Sequence, residues 1–518
     1  MDHDIQLLRR HLPHAPHTGS DGALKNLLGG RGRECADAKE AIRLLNTCQS
    51  NAATIEAIRK SGGRLNEWGI KEMLDYLRRI GYQPDDLNKL NVVHITGTKG
   101  KGSTSAFTER IIRSQLSGGK IGLYTSPHLC AVRERIRVNG EPLSEDDFAK
   151  YFFEVWERLE ADQKTITEHT PVFPIYFRFL TLLAFHAFLS MGVDATVLEV
   201  GIGGTYDSTN IVPRPVVTGV SALGLDHTAV LGNTIEEIAT NKGGIYKAGV
   251  PALSVPQEQA AGLAVLRACA DRVGAPFEVV PPLPAGVLLG LRGEHQRVNA
   301  ALAVGLAKRF LQVSGRSVED TDLPKAFEAP LAATRWPGRC QTAQDETDPH
   351  ITWLLDGAHT VESLRSCGEW AWGGAPRPSA LIFNTSGGRQ SEVLLAALLD
   401  AGATAAGTDR AALGARFKDV IFCTNVTYTD GHFKGDLTAA AIDPNDLAAL
   451  ATQRALADAW GKLVPGFGGQ VHVVPSIEHA VNIVRAGEGE RAVLVAGSLH
   501  LVGGVMEVAG LQNALSME

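Results

Sequence analysis

Apolar residues recur along this chain in two rhythms. Short β-branched runs at 91–96, 120–124, 196–200, 216–221 and 251–255 read as buried strands. Longer stretches between them, such as 103–115, 176–190 and 234–241, read as helices, and amphipathic helices at 37–60 and 70–80 precede the series. Strands alternating with helices predict a mostly parallel sheet covered on both faces. The pattern breaks over 325–340, at Pro330, Trp336, Pro337 and Gly338. A second series follows, with strands at 352–355, 380–383, 420–424, 470–474 and 492–496. Alanine-rich tracts at 395–416 and 438–458 are helical by propensity. The chain therefore divides into a polar tail over 1–34, a first α/β domain over 35–330 and a second over 331–518. No repeat at a fixed period appears, which argues against a solenoid.

The length of 518 residues agrees with more than one domain, since a single core rarely outgrows about 250–300 residues. Lysine and arginine total 50 against 57 acidic residues, a net charge of 50 − 57 = −7. No global basic field invites nucleic acid, so an anionic ligand must be held by local devices. Seven cysteines without a C-x-x-C pair exclude a zinc ribbon and suggest reduced intracellular thiols. The longest apolar stretch, 179–193, is interrupted by His186 and falls short of the ~20 residues of a membrane span. The amino terminus lacks the apolar core of a secretory signal, and Arg9 and Arg10 are too little for a presequence. His3, His11, His14 and His17 belong to what reads as a loose tail, with a metal site the lesser reading.

Candidate chemistry gathers at predicted strand ends. Gly97-Thr98-Lys99-Gly100-Lys101-Gly102-Ser103-Thr104 follows a strand and opens a helix. Such a turn points backbone N–H groups at phosphate oxygens, and Lys101 can neutralise them. Gly102 stands where the strict Walker pattern has Ser or Thr, so this is a variant loop, or a glycine-rich connection without a ligand. Glu199 ends an otherwise apolar strand, as a Mg²⁺ ligand or as an exposed strand end. The glycines at 201, 203 and 204, ahead of Asp207 and Asn210, suggest a tight loop near a ligand. His227 follows a third strand, as metal ligand or structural histidine. Lys242 by itself reads as a solvated lysine. Asp356 and His359 repeat the device in the second half; Asp356 could accept ribose hydroxyls or an amine, or cap a helix. Arg335 and Arg339 sit at the seam between the halves, facing phosphates or a surface partner.

These pieces together resemble the folylpolyglutamate synthase family of the Mur ligase superfamily, in its eukaryotic form. The matching stretches include HITGTKGKGSTSAFTE, YTSPHLCAVRERIRVNG, PIYFRFLTLLAF, LEVGIGGTYDSTNIV, LDHTAVLGNTIEEIATNKGGIYK, GEHQRVNAALA, RWPGRCQ, LLDGAHT and GSLHLVGG. The resemblance implies a P-loop ATPase domain with a mostly parallel sheet, a smaller Rossmann-like domain, and an active site between them. It implies an ATP-dependent ligase that adds L-glutamate to the γ-carboxyl of tetrahydrofolyl-(poly)glutamate through an acyl phosphate. Gly100, Lys101, Gly102, Ser103, Asn299, Arg339 and Asp356 would contact ATP. Ser126, Glu199, His227 and Lys242, the last as a carbamate, would hold two Mg²⁺ ions, with K⁺ a further cofactor. Lys101, Lys242, Asp356 and His359 would carry the chemistry, Tyr176 and Phe177 the folate pocket, His359 and Ser498 the incoming glutamate. The implied protein is a monomer acting on small molecules, without nucleic acid or membrane partners, cytoplasmic with a mitochondrial pool. A bifunctional dihydrofolate synthase and a peptidoglycan Mur ligase are the neighbouring readings. A non-catalytic P-loop switch is the one from another class. Residues 400–416 look like an insert on which the resemblance is silent.

Overall fold

The computed structural model describes residues 37–48, 68–167, 170–385, 391–430 and 450–517. The polar tail, most of the helix expected over 37–60 and the first part of the tract at 438–458 lie outside them. The described residues from Ala38 onward form one compact unit.

The first strand series builds an eight-stranded sheet: β1 Val92–Thr96, β2 Ile121–Tyr124, β3 Ile136–Val138, β4 Glu141–Pro142, β5 Ala195–Glu199, β6 Val217–Val220, β7 Ala252–Ser254 and β8 Phe277–Val279. Their order is β4-β3-β2-β5-β1-β6-β7-β8, with β3 and β4 antiparallel and the rest parallel. The second series builds a six-stranded sheet from β9 Gln341–Gln344, β10 Ile351–Leu355, β11 Ala380–Phe383, β12 Asp419–Cys423, β13 Gln470–Val474 and β14 Arg491–Ala496. It runs β13-β12-β11-β14-β10-β9, and only β9 is antiparallel.

The predicted parallel strands are all present. The short antiparallel strands β3, β4 and β9, and the edge strand β8, escape prediction because they are brief and half polar. The break at 325–340 holds a helix, Lys325–Ala333, which carries Pro330 inside it. Residues 400–416 are packed rather than appended. Helices Ser391–Ala406 and Arg410–Gly414 run through them, Leu413 is fully buried, and a Cβ on Gly402 would strike the Trp372 ring.

Helices cover both faces of the first sheet. On one side Phe107, Ile111 and Ile112 of α1 (Lys101–Gln115) pack with Ala300, Leu302 and Phe310 of the helix His295–Val313. On the other, Phe179, Leu182, Phe185 and Phe188 of α2 (Tyr176–Met191) pack with Phe148 and Phe152. His186 interrupts that apolar helix without penalty, because its ring nitrogens meet Glu154 Oε2 at 2.6 Å and the Tyr82 hydroxyl at 2.9 Å. The described cysteines are all free, and among the described residues no helix is long and apolar enough to cross a membrane.

Register sets the stage for chemistry. Ile95 lies beside Glu199 and Thr96 beside Val220, so the carboxyl ends of β5, β1 and β6 open at one level. Ligands of open parallel sheets bind beyond such ends. Because α1 begins directly after the loop on β1, the core under it also fixes the loop. Phe107→Ala should lower the unfolding free energy by about 3–5 kcal/mol, read from urea denaturation. A loss below about 1 kcal/mol would show that this face of the sheet is not the close-packed core described.

Candidate active site

A cavity of about 1160 Å³ opens over the strand ends of the first sheet, and its opposite wall comes from the second. Gly100, Lys101, Gly102 and Ser103 line it, as do Ser126, Glu199, His227 and Asn299. Arg339, Asp356 and His359 face them, and Phe177 contributes an aromatic wall. Lys242, Tyr176 and Ser498 do not line it; their neighbours Asn241, Phe177 and Leu499 do.

The phosphate-type loop has a reason for each glycine. Gly97 and Gly100 carry φ of 155° and 85°, the latter in the left-handed region that favours glycine. A Cβ on Gly100 would also collide with the Asn299 amide. Gly102, the departure from the strict motif, lies under Trp336, whose Nε1 would be 3.1 Å from a Cβ there. The helix at 295–313 buttresses the loop: Gln296 donates to Ser103 Oγ at 3.3 Å and accepts from Asn299 at 2.9 Å.

Two ammonium groups converge on one acceptor. Lys101 Nζ donates to the Gly97 carbonyl at 3.1 Å, and Lys242 Nζ donates to the same oxygen at 2.9 Å. Lys242 ends α3 (Ile235–Gly243) and is 3% exposed, so it is a buried lysine and not a solvated one. Burial, reinforced by the Lys101 cation, pulls its amine down to about 7. Neither lysine makes an ion pair among the described residues. Glu199 mirrors them: it is 3% exposed, and its one hydrogen bond is from the Ser126 N–H at 3.4 Å. Burial pushes its carboxyl up to about 7, with Lys101 opposing. The exposed strand-end reading is thereby excluded.

His227 behaves differently. It sits in the left-handed region at φ 49°, half-exposed, with Nε2 3.8 Å from Asp226. Among the described residues no three His, Cys, Asp or Glu side chains gather as a protein-only metal cage. Mg²⁺ does not require one, since it keeps waters and takes one or two carboxylates together with substrate phosphates. A buried carboxylate without a direct ion pair, beside a phosphate-type loop, fits that ion.

On the second wall, Asp356 does not cap a helix. Thr360 caps α4 (Val361–Trp372) through Ser363 N. Asp356 instead accepts from Cys340 N at 2.7 Å, Cys340 Sγ at 3.1 Å and Ala358 N at 2.8 Å, which ties the Arg339–Cys340 turn to the end of β10. Arg339 thus reaches the cavity from a fixed turn, whereas Arg335 bonds only the nearby carbonyls of Ala332 and Thr334. His359 is exposed in the cavity. Its Nδ1 donates to Gly357 O at 2.9 Å, which leaves Nε2 as the acceptor in the neutral ring.

Sequence reasoning alone passed over Gln296, Trp336 and Arg135, all cavity residues inside recognised stretches. Tyr176 turns away from the wall; the Arg135 guanidinium lies 5.6 Å over its ring. Phe177 lies under the glycine turn after β5, where a Cβ on Gly201 would meet its ring.

The buried charges give a signed pH dependence. Between pH 4.5 and 7 the folded chain keeps a proton on Glu199 that the unfolded chain has lost, so stability falls as pH rises. Between 7 and 10.5 the unfolded chain holds a proton that Lys242 lacks in the fold, so stability rises. Glu199→Gln should remove the fall and leave the rise, read from urea midpoints against pH without ligands. A fall of unchanged size in this variant would assign it to another group.

The chain is 42% identical to the folylpolyglutamate synthases of Saccharomyces cerevisiae strains AWRI796 and S288c, over 91% of this chain and 86% of theirs. Among solved structures it is similar to a Mycobacterium tuberculosis folylpolyglutamate synthase complexed with ADP. That match has a TM-score of 0.65 and 22% identity, over 92% of this chain and 99% of that one. It is also similar to a Thermotoga maritima folylpolyglutamate synthase, with a TM-score of 0.61 and 25% identity over 85% and 93%. No family model matches the chain. With relatives this similar over nine-tenths of its length, the chain belongs to the folylpolyglutamate synthase family.

Proposed function

We propose that this cavity joins L-glutamate to the γ-carboxyl of tetrahydrofolyl-(poly)glutamate, converting ATP to ADP and phosphate. One observation carries the reading. Lys101 and Glu199 stand at adjoining strand ends, within electrostatic reach but without a direct ion pair among the described residues, and face Arg339, Asp356 and His359 across one cavity. The first wall suits a nucleotide phosphate with its divalent ion, and the second suits an amino acid. The division at residue 331 into a nucleotide domain and a glutamate domain belongs to the same proposal.

The residue types account for the steps. A carboxylate is a poor acylating agent until phosphoryl transfer gives it a leaving group, and that transfer is governed by positioning and charge. Gly100 to Ser103 cradle the phosphates, Lys101 and Arg339 neutralise them, and Asn299 steadies the loop. Glu199 and Ser126 would hold one Mg²⁺, and His227 with Lys242 the second; such ions would supply positive charge to the phosphate oxygens. The amine of glutamate then attacks the acyl phosphate and expels phosphate. Nε2 of His359 is free to take the amine's proton. Asp356, whose carboxylate is engaged by Cys340 and Ala358, positions that wall. Ser498, next to Leu499 of the cavity wall, starts the helix Leu499–Ala509 without a side-chain cap bond, and its role toward the glutamate rests on the resemblance alone. Phe177 flanks the pterin. A K⁺ requirement rests on no described residue. Action as a monomer in the cytoplasm, with a mitochondrial pool, is part of the same proposal and rests on the resemblance.

ADP release tests the reaction. It should require tetrahydrofolate and L-glutamate together and should not occur with dihydropteroate. Lys101→Ala should cut turnover by about 10²–10³-fold with an unchanged melting curve. Full activity in that variant would remove Lys101 from phosphate handling, and turnover of dihydropteroate would mark a dihydrofolate synthase.

Lys242 is proposed to react with CO₂, its neutral amine forming a carbamate and releasing a proton. An amine pulled down to about 7 is substantially neutral at physiological pH, as that reaction needs. Lys242→Ala should lose most activity, and acetate or formate should restore part of it. Rescue by small amines alone would identify a plain cation.

A further inference from the structure

Arg135 is a buried cation of this cavity that makes no ion pair among the described residues. It follows the loop after β2 and is 8% exposed, yet it lines the cavity. Its Nε donates to His128 Nδ1 at 2.9 Å, and its guanidinium lies over the Tyr176 ring. These contacts fix the side chain and use one of its five N–H donors. The two terminal nitrogens make no hydrogen bond or ion pair among the described residues. Neighbouring arginines differ: Arg178 is paired with Glu72, and Arg137 gives its donors to the carbonyls of Glu134, Gly140 and Leu515.

The backbone beneath Arg135 is rigid. The Glu134 carboxylate accepts three backbone N–H groups, from Leu129 at 3.1 Å, Cys130 at 2.8 Å and Ala131 at 2.6 Å. The Arg135 carbonyl accepts from Thr125 N at 3.0 Å. A guanidinium held in the cavity wall through Nε alone keeps its terminal N–H donors for a ligand. Its planar fork matches a carboxylate in bidentate fashion.

Which carboxylate follows from position. Arg135 lies close enough to Glu199 to favour its charged form, and it stacks on the residue next to Phe177. An acceptor with its γ-carboxyl near Glu199 and its aromatic body along Phe177 has its α-carbon between those ends. We propose that Arg135 receives the α-carboxylate of the acceptor's terminal glutamyl residue and thereby selects acceptors that already carry glutamate. This rests on the function proposed above and adds the specificity determinant to it.

The test compares tetrahydropteroylglutamate with a tetrahydropteroyl acceptor carrying 4-aminobutyrate, which keeps the reacting carboxyl and lacks the α-carboxylate. The native enzyme should prefer the glutamyl acceptor by roughly 10- to 150-fold in kcat/KM, the range of a hydrogen bond to a charged group. In Arg135→Gln the loss should fall on the glutamyl acceptor alone, bringing the ratio near unity. KM for ATP and for L-glutamate, and the melting curve, should be unchanged. Equal losses for both acceptors, or a rise confined to the KM of L-glutamate or ATP, would overturn the assignment. If Arg135→Gln does not fold, Arg135→Lys serves: a reduced preference supports the fork, and an undiminished one overturns it. A native enzyme that releases no ADP with tetrahydrofolate would instead sink the earlier reading.

Discussion

The structure turns on charges that are buried without a direct ion pair. Glu199, Lys242 and Arg135 are each more than nine-tenths buried, and none makes an ion pair among the described residues. Burying an isolated charge is costly, and folds ordinarily answer by pairing it or neutralising it. At and just behind this cavity the answer is partial. Glu199 and Lys242 are both shifted to about 7, so each is poised between its charged and neutral forms. Such poise stabilises nothing in the free protein. It makes sense where phosphates, a divalent ion and carboxylates bring the missing counter-charges.

Holding these groups in place falls to the parallel sheet and its connections. The turn after β5 is secured by Asp207, which accepts from Gly201 N at 3.1 Å and Ile202 N at 3.2 Å. Asp207 also accepts from the Thr209 hydroxyl, which in turn meets His94 Nε2 at 2.8 Å in the middle of β1. Thr205 then bonds the Asn241 carbonyl at the end of α3 through both its N–H and its hydroxyl. One chain of hydrogen bonds therefore links the strand under the phosphate-type loop, the Glu199 turn and the helix of Lys242. A polar network that is nearly satisfied inside a core behaves as a rigid part.

The sequence made the loop, Glu199 and the two-sheet plan legible, because each depends on local pattern: glycines after a strand, an acid closing an apolar run, alternation of strand and helix. What it left open depends on which way a side chain turns. Asp356 reads equally as a helix cap until Cys340, sixteen residues away, is seen donating to it. Of the adjacent aromatics at the start of α2, only Phe177 faces the cavity, since Tyr176 is taken up by Arg135. Lys242 is polar in the sequence and buried in the fold, because Gly204 and the Thr205 turn close over the end of its helix. Arg135 was invisible for a related reason. Three arginines in the run from Arg133 to Arg137 look alike, and their partners separate them only in three dimensions.

The loop that carries Arg135 also belongs to the second half of the molecule. Leu129 and Cys130 are members of the core formed with Ile351, Trp353 and Val505. Cys130 Sγ meets Gly503 O at 3.2 Å, and a Cβ on Gly503 would collide with the Leu129 carbonyl. Arg137, on β3 directly after that loop, reaches Leu515 O at 3.0 Å. By contrast, the direct ion pair across the cavity, Lys99 with Glu362 at 3.1 Å, joins two exposed side chains and is worth about 0–1 kcal/mol. The walls are thus registered by a buried loop and not by their surface charges. A shift of the second sheet against the first must carry this loop along or break close-packed contacts. Since Glu134 welds Arg135 to that same loop, the position of the guanidinium and the spacing of the two walls are set by one piece of backbone.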